Sequence, residues 1–326
     1  MISKMNKSIF LLFCLFQVFV TLPCFAQNYP AKPVKIIVPW PAGGATDSLA
    51  RLVSARLSDV MNQSFVIENK SGASGFIGTE YVAKSSPDGY TLLFITASTH
   101  AISPNLFRNL PYDPIKDFSP VAGVAIGSML LVSPSNAPFN TVPELITYAK
   151  LKSGDLNYAT YGNGTTPHLA AELFMQATGV KMTHIPYRGT GPASMAVISS
   201  EVLVYFDAIT SAMPQIQSGK LKAIAYTGLQ RSPLLPNIPS IAEFYPGFEL
   251  SVWYGIEAPA GTPKPIVDKL NTEVNRILST PEIAEKLQNL GLMPLLLKAD
   301  QFGVHIVNQK SKWAEVVKKA NIPFSD

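Results

Sequence analysis

Short apolar runs alternate with segments of helical periodicity in the first third of the chain. Residues Val34–Val38, 65–68 and 91–95 are rich in β-branched and other apolar side chains and predict strands. Between the first two runs, one helix face is marked by Leu49, Leu52, Val53, Leu57 and Val60. Thr46 or Asp47 is predicted to cap this helix. With a further short helix before the third run, this order predicts a parallel, doubly wound sheet.

A second set of alternating elements follows from residue 128 onward. The predicted strands are 128–132, 157–160, 202–206 and 223–226. The predicted helices are 142–151, a segment ended by Gly179, and 211–218. A strand at 250–257 then leads to three helices: one opened by Thr262 and Pro265, one from Thr280 to Gly291, and one with Trp313, Val316 and Val317. The pattern therefore predicts two α/β units joined by strands.

The N-terminus has the three-part pattern of a secretory signal peptide. Lys4 and Lys7 precede an apolar run at residues 9–22, and the predicted cleavage site lies between Ala26 and Gln27. The run is shorter than the roughly 20 residues that span a bilayer, which disfavours a membrane anchor. A lipid anchor at Cys24 is the lesser alternative. We therefore expect residues 1–26 to be removed and the mature chain to be periplasmic.

Composition narrows the possible functions. The chain has 326 residues, enough for about two domains, with 47% hydrophobic and 15% charged residues. Both cysteines, Cys14 and Cys24, lie in the predicted leader, so the mature chain has no disulfide, no cysteine-ligated metal and no catalytic thiol. The net charge of +4 includes the two leader lysines and is too weak to indicate nucleic-acid binding.

Glycine-rich turns at helix starts are the candidate chemistry. They comprise residues 42–46, 162–166 and 189–191, and the similar turn 72–75. Unpaired N–H groups at a helix start favour an anion, and glycine lets a ligand approach the backbone closely. One such turn is usually only a cap, but several together favour a shared anion site at the carboxyl ends of the strands.

Catalytic motifs are missing from the sequence. It has no G-x-S-x-G, no Walker A lysine loop and no G-x-G-x-x-G, and its four histidines lack metal-ligand spacing. We expect no cofactor and no metal. An exported enzyme that uses His100 or His168 as a base with Asp207 as its partner remains the rival hypothesis.

Three motifs of the chain are specific: Val-Pro-Trp-Pro-Ala-Gly-Gly at 38–44 with Asp47, Pro-Asp-Gly-Tyr-Thr-Leu at 87–92 and Pro-Tyr-Arg-Gly at 186–189. Together with the segments 29–33, 109–114 with 116–118, 157–169 and 258–263, they resemble the Bug family of periplasmic receptors, the binding components of tripartite tricarboxylate transporters. They follow the family order over the whole mature chain.

The resemblance implies the fold of type II periplasmic binding proteins, in which two doubly wound α/β domains hinge on crossing strands and enclose a ligand. We expect one domain to comprise 27–127 and 251–326 and the other to comprise 128–250. The ligand would be a small carboxylate held largely by backbone amides, hydroxyls and water. The expected ligand-binding residues are Trp40, Ala42, Gly43, Gly44, Thr46, Asp47, Gly75, Thr96, Ser98, His100, Gly162, Asn163, Gly164, Thr165, Thr166, His168, Tyr187, Gly189 and Asp207.

The chain departs from the family pattern at three places. Trp40 replaces a more usual phenylalanine, Arg188 replaces a lysine, and residues 201–205 lack the usual Gly-Gly-x-Val-Asp run. The resemblance also implies a monomer that serves a membrane permease, although a membrane sensor kinase is an alternative partner. The sequence leaves open which carboxylate is bound and whether Arg188 contacts it.

Overall fold

The computed structural model describes residues 29–152, 154–232, 234–319 and 322. The predicted signal peptide, with both cysteines, lies outside the described residues. The strands are β1 (Val34–Val38), β2 (Phe65–Asn69), β3 (Thr91–Thr96), β4 (Phe118–Pro134), β5 (Asn157–Thr160), β6 (Thr183–Pro186), β7 (Val204–Ala208), β8 (Leu221–Tyr226), β9 (Ser251–Pro259) and β10 (Leu292–Pro294). The α-helices are α1 (Ala45–Met61), α2 (Phe76–Ala83), α3 (Val142–Leu151), α4 (Thr166–Thr178), α5 (Thr190–Ile198), α6 (Ile209–Gln217), α7 (Lys264–Leu278), α8 (Pro281–Asn289) and α9 (Ala299–Lys319). No helix in these ranges is both long and apolar enough to cross a bilayer.

Domain 1 is built on the strand order β2-β1-β3-β9, continued by the first part of β4. The strands β1, β2 and β3 are parallel, with Ile36 opposite Ile67 on one side and Leu92 on the other. Strand β9 runs antiparallel to β3, so the sheet is mixed. Ile36, Ile37 and Val38 are fully buried, as expected for a parallel strand covered on both faces.

Domain 2 contains the last part of β4 with β5, β6, β7 and β8. Strands β7, β5 and β6 are parallel neighbours, and β4 pairs antiparallel with both β7 and β8. Helix α4 lies between β5 and β6 in the chain and ends at Gly179, whose φ of 71° closes the helix as predicted. The observed sheet order and helices confirm the two-domain α/β fold expected from the sequence. The residue boundaries assigned to the two domains stay a prediction.

Strand β4 runs through both domains. Up to Ser128 it pairs with β9, and from Met129 onward it pairs with β7 and β8. The sequence predicted only its second part, residues 128–132. Pro120, Gly123 and Gly127 interrupt the apolar run of the first part, and the pairing with β9 shifts register in this region.

A second crossing lies beside this strand, where the chain enters β9. The segment that follows β8 lies next to it. Thr227 donates its N–H to the carbonyl of Met129 at 3.0 Å, and its Oγ1 accepts the N–H of Met129 at 2.8 Å. The same Oγ1 donates to the carbonyl of Leu250 at 2.9 Å, and the N–H of Leu250 donates to the carbonyl of Thr227 at 3.0 Å. Buried Thr227 therefore ties the two crossing segments together at one point, through Met129 and Leu250.

The start of α1 differs from the prediction. Its N-cap is Gly44, and Thr46 and Asp47 lie inside the helix. Asp47 instead accepts the N–H of Gly43 at 2.9 Å, from inside the first helical turn. The carboxylate thus satisfies a backbone donor of the loop before the helix, at the end where the helix dipole favours negative charge.

Candidate ligand-binding site

A cavity of about 120 Å³ lies between the two domains. Its size is close to that of the roughly 150 Å³ engineered cavity that holds benzene, so it has room for a small organic molecule. The lining residues are Trp40, Pro41, Ala42, Gly43, Gly44, Ala45, Thr46, Thr96, Ala97, Tyr161, Thr166, Thr190, Gly191, Pro192, Asp207, Ala208, Val252, Trp253 and Tyr254. Both domains contribute, and the lining follows the carboxyl ends of their parallel strands.

Four helix N-termini meet at this cavity. Gly44, the N-cap of α1, and Thr166, the first residue of α4, both line it. Thr190 at the start of α5 and Ala208, the N-cap of α6, complete the set. The first N–H groups of a helix have no intrahelical acceptor, and the helix dipole adds partial positive charge there. The cavity is therefore a site for a negatively charged group.

Aromatic side chains form much of the wall. Trp40 of domain 1 meets Tyr161 of domain 2 edge to face, with ring centroids 5.3 Å apart. Trp253 and Tyr254 come from the crossing strand β9. Among the described residues that line the cavity, none is a lysine, arginine or histidine. Positive potential at this site comes from backbone N–H groups and not from a cationic side chain.

Several buried polar atoms of the lining are unpaired. The indole Nε1 atoms of Trp40 and Trp253 and the hydroxyl of Thr96 have no hydrogen-bond partner among the described residues. Buried polar groups in native proteins are almost always satisfied, by protein or by ordered water. These donors are therefore available to a ligand or to water that accompanies it.

Asp207 is the one acidic side chain of this lining, and it is fully buried. Its Oδ1 accepts a short hydrogen bond from the hydroxyl of Ser211, whereas Oδ2 has no partner in the described part of the chain. Burial raises the pKa of Asp207 to about 7, although Ser211 and the N–H of Ala208 partly offset the shift. The cavity lining therefore contains a carboxyl group whose protonated form is favoured by burial.

Asp47 holds the glycine loop of domain 1 from behind. Its Oδ2 accepts the N–H of Gly43 and a hydrogen bond from Arg51, each at 2.9 Å, and its Oδ1 accepts the amide of Asn69 at 2.9 Å. Burial would raise the pKa of Asp47, but these hydrogen bonds outweigh it and lower the pKa. Asn69 also donates to the carbonyl of Trp40 at 3.0 Å. Asp47 therefore positions the loop while the loop backbone faces the cavity.

The two domains touch on both sides of the cavity. The hydroxyl of Ser98 accepts the N–H of Thr166 at 3.1 Å, and the hydroxyl of Ser103 donates to the carbonyl of Gly164 at 3.2 Å. On the other side, a Cβ placed on Gly189 would lie only 2.8 Å from the Pro41 ring. Gly189 has a φ of 105°, so its glycine serves both the backbone conformation and this close approach. The cleft is closed in this structure.

The structure brings only part of the predicted residue set to the cavity. The predicted residues that line it are Trp40, Ala42, Gly43, Gly44, Thr46, Thr96, Thr166 and Asp207. The remaining ones lie outside the lining: Asp47, Gly75, Ser98, His100, Gly162, Asn163, Gly164, Thr165, His168, Tyr187 and Gly189. A ligand contact by any of these residues stays a prediction.

Most residues of this second group shape the loops around the cavity. Thr165 donates its hydroxyl to the carbonyl of Gly162 at 2.6 Å, and the N–H of Gly164 donates to Nδ1 of His168 at 3.2 Å. Gly75 leaves room for Trp40, because a Cβ there would lie 3.3 Å from the indole. Asn163 is exposed.

The candidate catalytic histidines have structural surroundings. His100 is buried with its Nε2 2.8 Å from Glu257 and its Nδ1 2.9 Å from the Thr99 hydroxyl. His168 stacks on His184, with ring centroids 4.3 Å apart. Burial, together with the neighbouring His184, lowers the pKa of His168 to about 3, so this imidazole is neutral at physiological pH.

Two residues of the 186–189 motif, Tyr187 and Arg188, also lie outside the cavity lining. The hydroxyl of Tyr187 donates to Glu201 at 2.9 Å. Arg188 is exposed and does not line the cavity. The arginine is therefore not placed as a carboxylate clamp.

Sequence reasoning missed part of the lining. The missed residues are Pro41, Ala45, Ala97, Tyr161, Thr190, Gly191, Pro192, Ala208, Val252, Trp253 and Tyr254. Thr190 and Gly191 lie in the turn 189–191, which the sequence already marked as a glycine-rich helix start. That turn could therefore have predicted both residues as part of the lining. No local pattern places Val252, Trp253 and Tyr254 here, because it is their pairing with β3 and β4 that does so.

The comparison with known families agrees with the geometry. A model of the tripartite tricarboxylate transporter family receptor matches residues 49–322. The chain belongs to this family. The resemblance to Bug receptors is confirmed by the protein BugT of Bordetella pertussis, which is 34% identical over 302 residues, 92% of this chain and 93% of BugT.

Two similar solved structures have the same fold. The R. palustris protein Rpa4515 with adipate superposes with a TM-score of 0.89 at 37% identity, over 91% of this chain and 100% of that one. MatC of Rhodopseudomonas palustris with bound malate gives 0.84 at 34% identity, over 89% and 100%. Because the family whose model matches is a family of transporter receptors, the chain is a solute-binding receptor and the enzyme hypothesis is dropped.

Proposed function

We propose that this receptor captures a small carboxylate in the closed cleft and delivers it to a permease of the tripartite tricarboxylate type. The observation that carries the proposal is the meeting of four helix N-termini at a cavity whose described lining has no basic side chain. The dicarboxylates adipate and malate in the two similar structures support the same class of ligand. The predicted signal peptide supports a periplasmic location.

The mode of binding suits a receptor that must release its ligand. A buried bidentate pair with arginine would hold a carboxylate strongly. Several moderate hydrogen bonds from backbone amides, formed only when both domains face the ligand, let go when the cleft opens. The two crossing segments would be the hinge, because Thr227 ties them together at Met129 and Leu250, next to the expected domain boundaries.

A thermal-shift screen tests the class of ligand. Acetate, adipate, malate and citrate would each be added to the mature protein, with adipamide as the uncharged analogue of adipate. A ligand at 100 times its Kd stabilises the folded state by about 2.7 kcal/mol, so a true ligand raises the Tm clearly. We expect at least one carboxylate to raise it and adipamide to have no effect. Equal shifts with adipamide, or no shift with any carboxylate, would contradict the proposal.

Delivery to the permease is tested separately in cells. Uptake of the labelled ligand identified by the screen is compared between wild-type cells and cells that lack the receptor gene. We expect uptake at low ligand concentration to require the receptor. Unchanged uptake together with a lost transcriptional response to the ligand would favour the sensory role instead.

A further inference from the structure

A site that binds only an anion does not explain why the acidic side chain of Asp207 lies in its lining. Asp207 is an acid in a lining otherwise suited to anions, and its Oδ2 is buried without a hydrogen-bond partner in the described residues. Its Oδ1 is occupied by the Ser211 hydroxyl. The carboxyl group is thus held in place through one oxygen, while the other oxygen of this lining residue is buried without a partner at hydrogen-bond distance in the described residues.

A bound carboxylate has to share this small space with Asp207. The cavity volume is about 120 Å³, so a ligand that fills it lies within contact range of the Asp207 carboxyl group. Two like charges at such a distance in a buried site strongly raise the pKa of one of them. Because no basic side chain lines the described cavity, the helix N-termini alone would have to offset both negative charges, and a proton on Asp207 would remove one of them.

We propose that Asp207 takes up one proton from solvent when a carboxylate binds, and that its protonated Oδ2 donates a hydrogen bond to the ionised ligand. This inference rests on the proposed function, since it requires a carboxylate in the cavity. The balance is simple: the ligand keeps its charge, Asp207 loses its own, and the proton comes from water or buffer. Asp207 thereby favours ligands that place a hydrogen-bond acceptor next to Oδ2.

The titratable groups around Asp207 do not compete for this proton. They are Tyr161 from the loop after β5, Tyr205 from β7 and Tyr254 from β9. Burial raises the pKa of each; that of Tyr161 rises to about 12, so all three are neutral at physiological pH. The hydroxyl of Tyr205 lies near enough to the Asp207 carboxyl group to favour its charged form and lower its pKa, so a ligand at Asp207 has this hydroxyl as a neighbour. The remaining neighbours, Ser211 and the N–H of Ala208, carry no charge.

The test is calorimetry with adipate and malate at pH 6.5, 7.5 and 8.5. Both ligands are fully ionised in this range, because ordinary carboxyl pKa values lie near 4. Each titration is run in phosphate and in Tris, whose different ionisation heats reveal the number of protons taken up. We expect uptake to approach one proton per ligand at pH 8.5 and the affinity to fall by up to about tenfold per pH unit.

Two variants identify the group that titrates. Asp207→Asn keeps the shape and is always a neutral donor, so it should bind without proton uptake and with an affinity that does not change with pH. Glu257→Gln is the matched control, because Glu257 is equally buried but pairs with His100 outside the lining. It should retain the wild-type pH dependence. Circular dichroism checks that both variants are folded.

The outcomes separate this inference from the proposed function. Tight binding of either ligand by the wild type, with no proton uptake and no pH dependence, would overturn the role of Asp207 and leave carboxylate capture standing. An affinity that rises with pH, or loss of binding in Asp207→Asn, would show that Asp207 accepts a hydrogen bond from the ligand, which also overturns it. If neither these ligands nor any other carboxylate of the thermal-shift screen binds, the proposed function fails and the inference with it.

Discussion

Replacing Gly44 by valine should block the cleft without unfolding the receptor. Gly44 lines the cavity as the N-cap of α1, with φ −81° and ψ 172°, a conformation that any residue adopts. A Cβ at this position would lie 3.6 Å from the carbonyl oxygen of Pro41 and 3.8 Å from Oγ1 of Thr190. Both are ordinary contact distances, so a residue with a Cβ fits at position 44 without a change of the backbone.

The two γ carbons of valine are the obstacle. Each lies about 1.5 Å beyond Cβ, so one directed at Thr190 would come within roughly 2.3 Å of its hydroxyl. The domains must then open, or the methyl groups must turn into the cavity and take space from the ligand. Either way we expect at least a tenfold loss of affinity, about 1.4 kcal/mol or more. Valine is also a poor N-cap, which should cost about 1 kcal/mol of stability.

The assay pairs calorimetry of the carboxylate found in the screen with urea unfolding. The control is Gly179→Ala, at the C-cap of α4 outside the lining, with a φ of +71° and nothing within 4 Å of an added Cβ. This control should lose on the order of 2 kcal/mol of stability, while the protein that remains folded binds normally. Wild-type affinity in a folded Gly44→Val variant would refute the assigned site and the closed geometry of the cleft.

Three further predictions concern the buried side chains of Asp207 and Thr227 and the exposed side chain of Arg188. The raised pKa of Asp207 means that the folded state binds more protons than the unfolded state between about pH 4 and pH 7, so stability falls as pH rises through this window. Asp207→Asn should therefore be more stable than wild type at pH 8, by up to about 4 kcal/mol, and the gap should narrow at pH 4; urea unfolding at both values measures it. Arg188→Ala should change ligand affinity and stability by less than about 0.5 kcal/mol, because the side chain is exposed; a large loss of affinity by calorimetry would show instead that Arg188 binds the carboxylate. Thr227→Val should lower stability by about 1–3 kcal/mol in thermal unfolding, since it leaves the buried N–H of Met129 without the hydroxyl it bonds; an unchanged Tm would argue against this junction as a structural hinge.

The prediction succeeded for elements whose signal is local. Helix α3, strand β5 and the Gly179 cap of α4 were predicted within the observed bounds, because each depends on neighbouring residues. The prediction was weaker for strands that form only because another strand pairs with them. The first part of β4 contains Pro120 and two glycines and is a strand only because β9 supplies its partner. At α1, Thr46 and Asp47 were plausible caps by type, but the loop geometry gives that position to Gly44.

The sequence by itself determined the order and kind of the elements, the glycine-rich helix starts and the family, because these depend on periodicity, local backbone preference and motif order along the chain. The tertiary structure decided which helix starts share one cavity, and it placed Thr190 opposite Gly44 and the aromatic residues of β9 beside both. It also decided that Asp207 is buried with one free oxygen while Arg188 stays in solvent. These features join residues far apart in the chain, and burial and distance across a cleft are set only when both domains pack around the crossing strands.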